Sequence, residues 1–264
     1  MHILHKYIFR RVRNIFRKSN DSPFVKSGCN VPADRELNII MEITLRCNST
    51  CPQCSRHCNV FSYGDSDMTL AQIDKFISQV FSSGVKLGHI LIMGGEPTVH
   101  PDFVKIVTML YEKLYIPGKV KILHIYTNGI IPIQEPITDM PVEIFTSPPS
   151  SKHHRCQYIA PCDTGQEVKI CDNPTVCGIA LNAFGFFPCG AGGSIVRLFE
   201  LKNLIRYYIP SCVEEFGDIS GLCSLCQASA VNQKMYAVDD CTPSKNFQRA
   251  IEKYKLKRPS YKRF

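Results

Sequence analysis

Residues 37–54 read LNIIMEITLRCNSTCPQC, an apolar run from Leu37 to Leu45 followed by Cys47, Cys51 and Cys54. The run is short, rich in aliphatic side chains and bounded by a polar loop, which predicts a buried strand. The cysteines after it form a C-x3-C-x2-C array. Three thiolates on one short loop suit an iron–sulfur cube, whose four irons leave one corner open when the protein supplies three ligands. A purely structural cluster or zinc site would be closed by a fourth ligand. An open iron means chemistry.

A strand–loop–helix rhythm continues downstream. Thr69 to Phe81 has helical spacing, with Ile73, Phe76, Ile77 and Val80 on one face, Thr69 as N-cap and Gly84 as stop. Leu87 to Met93 predicts a second buried strand that runs into Gly94-Gly95-Glu96-Pro97. Pro101 opens a helix through about Tyr115, with Phe103, Val107 and Leu110 inward and Pro117-Gly118 behind it. Lys119 to Tyr126 predicts a third strand ending at Thr127-Asn128-Gly129, and Val142 to Phe145 a fourth ending at Thr146-Ser147-Pro148-Pro149. Alternation of this kind predicts an α/β fold with a parallel sheet. The unusual loops all fall at the carboxyl ends of the strands, where such folds gather their function.

At 264 residues the chain can bury one substantial core, with or without a small appendage. No apolar stretch is long enough to span a bilayer, and Met1-His2-Ile3-Leu4-His5-Lys6 lacks the apolar region of a secretory signal. The expected location is therefore the reducing cytoplasm, where fourteen cysteines point to metal rather than disulfides. Residues 1–26 carry seven Lys/Arg against one Asp, and residues 245–264 eight against one Glu, so basic charge sits at the two ends. Residues 6–18 mix Ile8, Val12, Ile15 and Phe16 with arginines at near-helical spacing. Such a helix suits peripheral contact with an anionic membrane, and equally a docked helix with a charged outer face. Nucleic acid is not the expected partner.

The order Glu42 to Cys54 followed by Gly94-Gly95-Glu96-Pro97 resembles the radical S-adenosylmethionine (SAM) superfamily. The resemblance covers residues 37–147 and implies a partial (β/α) barrel. It also implies a [4Fe–4S] cluster on the catalytic Cys47, Cys51 and Cys54, with SAM chelating the open iron through its methionine end. Reductive cleavage of SAM to a 5′-deoxyadenosyl radical, fed by a flavodoxin or ferredoxin, is the implied activity. Gly94, Gly95, Glu96 and Pro97 are the implied cofactor-binding residues, joined by Asn128 and Ser147 at the ends of strands three and four. Adjacent glycines let backbone come close to a ligand, and an ionised Glu96 can accept from an ammonium group. One departure is Gln53, which stands where most members place an aromatic; the adenine contact is then expected from Phe61 or Tyr63. Cys58 is read as a bystander to the three-ligand array.

Cys177, a Gly185-turned hairpin ending in Cys189, and Cys223-x-x-Cys226 resemble the twitch or shortened SPASM extension. That implies a small C-terminal cysteine-rich domain holding one auxiliary [4Fe–4S] cluster, with Cys171, Cys212 or Cys241 as substitute ligands. A four-cysteine zinc ribbon has the same ligand count. The expected organisation is a basic segment over 1–36, the radical SAM core over 37–150 and a substrate-side connection over 151–176. The auxiliary-cluster domain follows over 177–243, with a helix and basic tail over 244–264. His153, His154, Arg155 and Asp163 are candidates for contact with a polar substrate.

Three functions fit these residues. The first is oxidation or epimerisation of a sugar- or cyclitol-like small molecule, in the manner of 2-deoxy-scyllo-inosamine dehydrogenases, with the auxiliary cluster as electron acceptor. The second is radical modification of a peptide, as many SPASM and twitch proteins perform. The third is a non-catalytic zinc- or cluster-binding module, which leaves Gly94 to Pro97 and the open iron unexplained.

Overall fold

The computed structural model describes residues 36–51, 54–61, 66–146, 171–226 and 243–264. Strand β1 spans Leu37–Thr44, as the apolar run predicts. Helix α1 (Leu70–Ser83) starts at a capping box. Gln72 Nα donates to Thr69 Oγ1 at 3.2 Å, and Thr69 Nα donates to Gln72 Oε1 at 2.9 Å. The helix stops at Gly84, whose φ of 70° is the left-handed conformation that glycine tolerates. Strand β2 is Leu87–Gly94. Helix α2 (Phe103–Leu110) begins two residues later than its sequence suggests and passes into a wider turn over Tyr111–Tyr115. Strands β3 (Val120–Thr127) and β4 (Glu143–Thr146) follow.

Two further strands have no counterpart in the sequence-based expectation of the barrel. Strand β5 (Ile179–Asn182) lies parallel to β1 on its far side, and β6 (Gly185–Phe187) turns back antiparallel. The result is a six-stranded sheet in the order β4-β3-β2-β1-β5-β6, parallel from β4 to β5. The hairpin read as part of a cysteine-rich extension is thus joined edge-on to the catalytic sheet. Helix α3 (Gly192–Leu198) and helix α4 (Lys245–Leu256) follow, the latter capped by Ser244 Oγ accepting from Phe247 Nα, with single helical turns at Cys58–Phe61, Asn173–Val176 and Ser220–Cys223.

Alternation along the strands separates two faces. One carries Ile39, Met41 and Ile43 of β1, Ile90 and Ile92 of β2, and Leu123 and Ile125 of β3, all fully buried in one cluster with Ile73, Phe76 and Val80 of α1 and Ile106 and Val107 of α2. Burying each such side chain contributes about 1.5–3 kcal/mol before entropy is counted. The ladder registers place the other set together: Ile40 beside Leu91 and Ala180, Glu42 beside Met93 and Asn182, Leu91 beside His124, and His124 beside Glu143. This second face is mixed in polarity and only partly covered. It is the concave wall of the candidate site.

Candidate active site

The loop after β1 carries Cys47, Cys51 and Cys54, all half-buried with free thiols. Its course is fixed by the turn after β2. Gly95 Nα donates to Thr44 O and Glu96 Nα to Arg46 O, both at 2.8 Å. A Cβ on Gly94 would lie 2.0 Å from Thr44 O, and one on Gly95 2.2 Å from Arg46 O. The paired glycines are therefore required by the close approach of the two loops themselves, a reason that adds to the ligand approach expected from sequence.

Glu96 is buried and fully engaged. Its Oε1 accepts from Thr98 Nα at 3.1 Å, Thr98 Oγ1 at 2.7 Å and Thr127 Oγ1 at 2.7 Å, and its Oε2 accepts from Asn128 Nα at 2.7 Å. It ties the end of β2 to the end of β3. With one donor against three, Oε2 is the oxygen with capacity for a ligand's ammonium. Asn128 Nδ2 then donates to Asn48 Oδ1 at 2.7 Å, which reaches the cysteine loop. A second brace comes from Asp67, which accepts from Thr44 Oγ1 at 2.6 Å and Arg46 Nε at 2.8 Å. His100 is buried and structural, with Nε2 3.0 Å from Met68 O and Nδ1 accepting from Asp102 Nα.

The thiols differ in their surroundings. Cys58 is buried beside Cys54, and a hydrogen bond from the Cys58 thiol, with help from backbone amides, lowers the Cys54 thiol to about 6. Cys58 Nα donates to Cys54 Sγ at 3.4 Å. Cys58 thus supports Cys54 directly. Burial pushes Cys47 up to about 11; bound iron would supply the charge that deprotonates it. Three partly buried thiols on one loop, one already biased to thiolate and all beside a braced polar turn, fit a three-ligand [4Fe–4S] cluster.

Beyond Cys54 the chain adds residues that the sequence reading passed over. Arg56 forms a buried ion pair with Glu42, Nε to Oε1 at 2.6 Å, and approaches Met93 Sδ at 3.4 Å. Asn182 Nδ2 donates to Glu42 Oε2 at 3.1 Å. Burial raises the Glu42 carboxyl, against the lowering pull of Arg56. His57, at φ 51°, stacks on Phe247 with ring centroids 5.6 Å apart and sets Nδ1 3.2 Å from Ser194 Oγ. A charge on an otherwise apolar β1 was the signal for Glu42; nothing local marks Arg56 or His57.

The second cysteine group is drawn together from separate elements. Cys189 follows β6, and Cys223 and Cys226 flank a buried turn after Ser220–Cys223. Burial raises the Cys189 thiol far above its usual range, and the neighbouring Cys226, Cys171 and Cys223 raise it further. Burial likewise raises the Cys177 thiol, against a lowering pull from Arg56 and with a further rise from Cys171. Cys171 therefore stands nearer this group than the sequence spacing suggests, whereas Cys212, expected as a substitute ligand in a chain whose cysteines were assigned to metal, is disulfide-bonded. Among the described residues no three Cys, His, Asp or Glu side chains converge closely enough for a single metal ion. Ser147, Gln53, Tyr63, His153, His154, Arg155, Asp163, Cys241 and the 6–18 segment lie outside the described residues. No helix among the described residues is long and apolar enough to cross a membrane.

Residues 41–140 match the family model described as the Radical SAM superfamily. This segment is a radical SAM domain. A curated relative, an S-adenosylmethionine-dependent nucleotide dehydratase from Selenomonas ruminantium, is 33% identical over 105 residues. The match covers 40% of this chain and 34% of that protein, so the chain spans about a third of the relative's length. Among solved structures, BtrN in complex with AdoMet and 2-DOIA is 17% identical, covering 76% of this chain and 97% of that one at a TM-score of 0.49. BtrN in an open conformation covers 60% and 71% at 17% identity and a TM-score of 0.39.

Proposed function

We propose that this radical SAM protein is an enzyme that reductively cleaves SAM and abstracts a hydrogen atom from a sugar- or cyclitol-like small molecule. The observation that carries the reading is the brace between the Cys47–Cys54 loop and the Gly94–Pro97 turn, made by Thr44, Arg46, Asn48 and Asn128. When bound, the cluster and SAM supply the 5′-deoxyadenosyl radical. The chain's part is positional: Cys47, Cys51 and Cys54 hold the iron, Gly94 to Pro97 and Asn128 offer backbone and Oε2 to the methionine end, and Ser147 is proposed to join them. Glu42, Arg56 and Asn182 wall the concave face below. An external flavodoxin or ferredoxin is the proposed electron source.

Cys189, Cys223 and Cys226, with Cys171 or Cys177 as the fourth ligand, are proposed to hold an auxiliary [4Fe–4S] cluster that takes up an electron when the substrate is oxidised. The relative's name supports a nucleotide as a second substrate class, since a nucleotide presents a ribose. Incubation with substrates deuterated at ring carbons separates the outcomes. Deuterium in 5′-deoxyadenosine identifies the substrate; loss of two hydrogens indicates oxidation, an isomer epimerisation, and loss of water dehydration. No transfer from either cyclitols or nucleotides would defeat the proposed substrate class.

A further inference from the structure

The lower half of the concave face lies beyond the proposed SAM site. His89 and His124 stand there edge to face, with ring centroids 5.2 Å apart. His89 Nε2 is 3.2 Å from Cys177 O, so this ring is anchored to the segment before β5. His124 Nδ1 is 3.2 Å from Glu143 Oε2, and the Phe145 ring lies 5.4 Å from its own. On the opposite face, the same strands show only aliphatic side chains from Ile90 to Ile125. Two imidazoles and a carboxylate on the open face of such strands are more than packing requires. His124 Nδ1 is aimed at the carboxylate without a formed hydrogen bond, the loose geometry a site takes before substrate arrives.

We propose that His124 Nε2 accepts the hydroxyl proton of the substrate, with Glu143 orienting the ring and His89 forming the wall behind it. The proposal rests on the preceding reading, that the attacked carbon bears a hydroxyl. His124 lies three residues before Thr127, about 10 Å down the strand from the braced turn. A small molecule held between them has the radical source above and the imidazole beneath. The step balances. The carbon-bound hydrogen atom goes to the 5′-deoxyadenosyl radical and the hydroxyl proton to His124; the remaining electron goes to the auxiliary cluster, leaving a carbonyl.

Burial lowers His124 below its ordinary 6.5, which keeps the ring neutral and basic at neutral pH. The groups that face it are Glu143 from β4, His89 from β2 and Tyr126 two residues along β3. Their net effect leaves a neutral base beside one carboxylate.

Nitrogen-labelled histidine NMR on the full chain is the first test. The resonance lost in His124→Gln is expected to show a bare Nε2 and a protonated Nδ1 at neutral pH, to titrate below 6.5, and to shift in Glu143→Gln. Ketone formation from 2-deoxy-scyllo-inosamine by the reconstituted protein is the second. It is expected to fall by about a hundredfold or more in His124→Gln, with the acid limb of the pH profile lost. Equal iron content would show that the variant folds. A protonated Nε2 at neutral pH, or ketone formation by His124→Gln at the rate of the unaltered protein, would overturn the proposal. If the unaltered protein makes 5′-deoxyadenosine but no ketone, the cyclitol substrate is wrong, and the NMR result alone decides for or against His124.

Discussion

Glu96 looks in sequence like a ligand-binding carboxylate and in structure is first a clamp. Removing it in Glu96→Ala strands Thr127 Oγ1 and Asn128 Nα without their acceptor. We expect a loss of about 1–3 kcal/mol in urea unfolding, together with weaker SAM binding. Gly95→Ala should cost a comparable amount, since its Cβ would meet Arg46 O at 2.2 Å and push the two loops apart. Iron retention after gel filtration reads that displacement. Cys47, Cys51, Cys54 and Gly94 to Pro97 can be proposed from the sequence because their spacing is local. Arg56 and Glu42 cannot, because an ion pair across 14 positions of sequence leaves no spacing signature; only a charge inside an apolar strand hinted at it.

At the level of elements, periodicity served well where one face is buried. α1 lies within a few residues of its expected span, since Thr69, Gln72 and Gly84 mark both ends chemically. Thr69→Ala should destabilise the fold by about 1 kcal/mol, measurable as a shift in urea midpoint. β5 and β6 were missed as barrel strands because they are short, four and three residues, and their cysteine and glycine neighbours read as a separate extension. His57 joins the cysteine loop to α3 and α4, and burial lowers it to about 4 from an ordinary 6.5. The unfolded chain binds this proton more readily than the folded one. Stability from the buried neutral ring is therefore complete above about 6.5 and lost as pH falls towards about 4, by up to about 3 kcal/mol. A urea series between those limits should show the decline, and His57→Phe should flatten it.

At the scale of the whole molecule, two cysteine groups border one sheet. The first follows β1 and the second surrounds β6, and β1 and β5 are direct neighbours. Anaerobic reconstitution should load roughly eight irons if both groups hold cubes, and roughly four if only the first does. Cys189→Ala should lower the count by about four. That the sequence places both groups, but not which of Cys171 and Cys177 closes the second, follows from their distance from Cys189 along the chain. Proximity there is set by packing, not by spacing.

Formation of 5′-deoxyadenosine decides whether the Cys47–Cys54 loop and the Gly94–Pro97 turn make a working SAM site. The reconstituted full chain, chemically reduced and given SAM without oxygen, should produce it, and Cys51→Ala should not. A protein that holds roughly four or more irons yet releases no 5′-deoxyadenosine would not be a radical SAM enzyme.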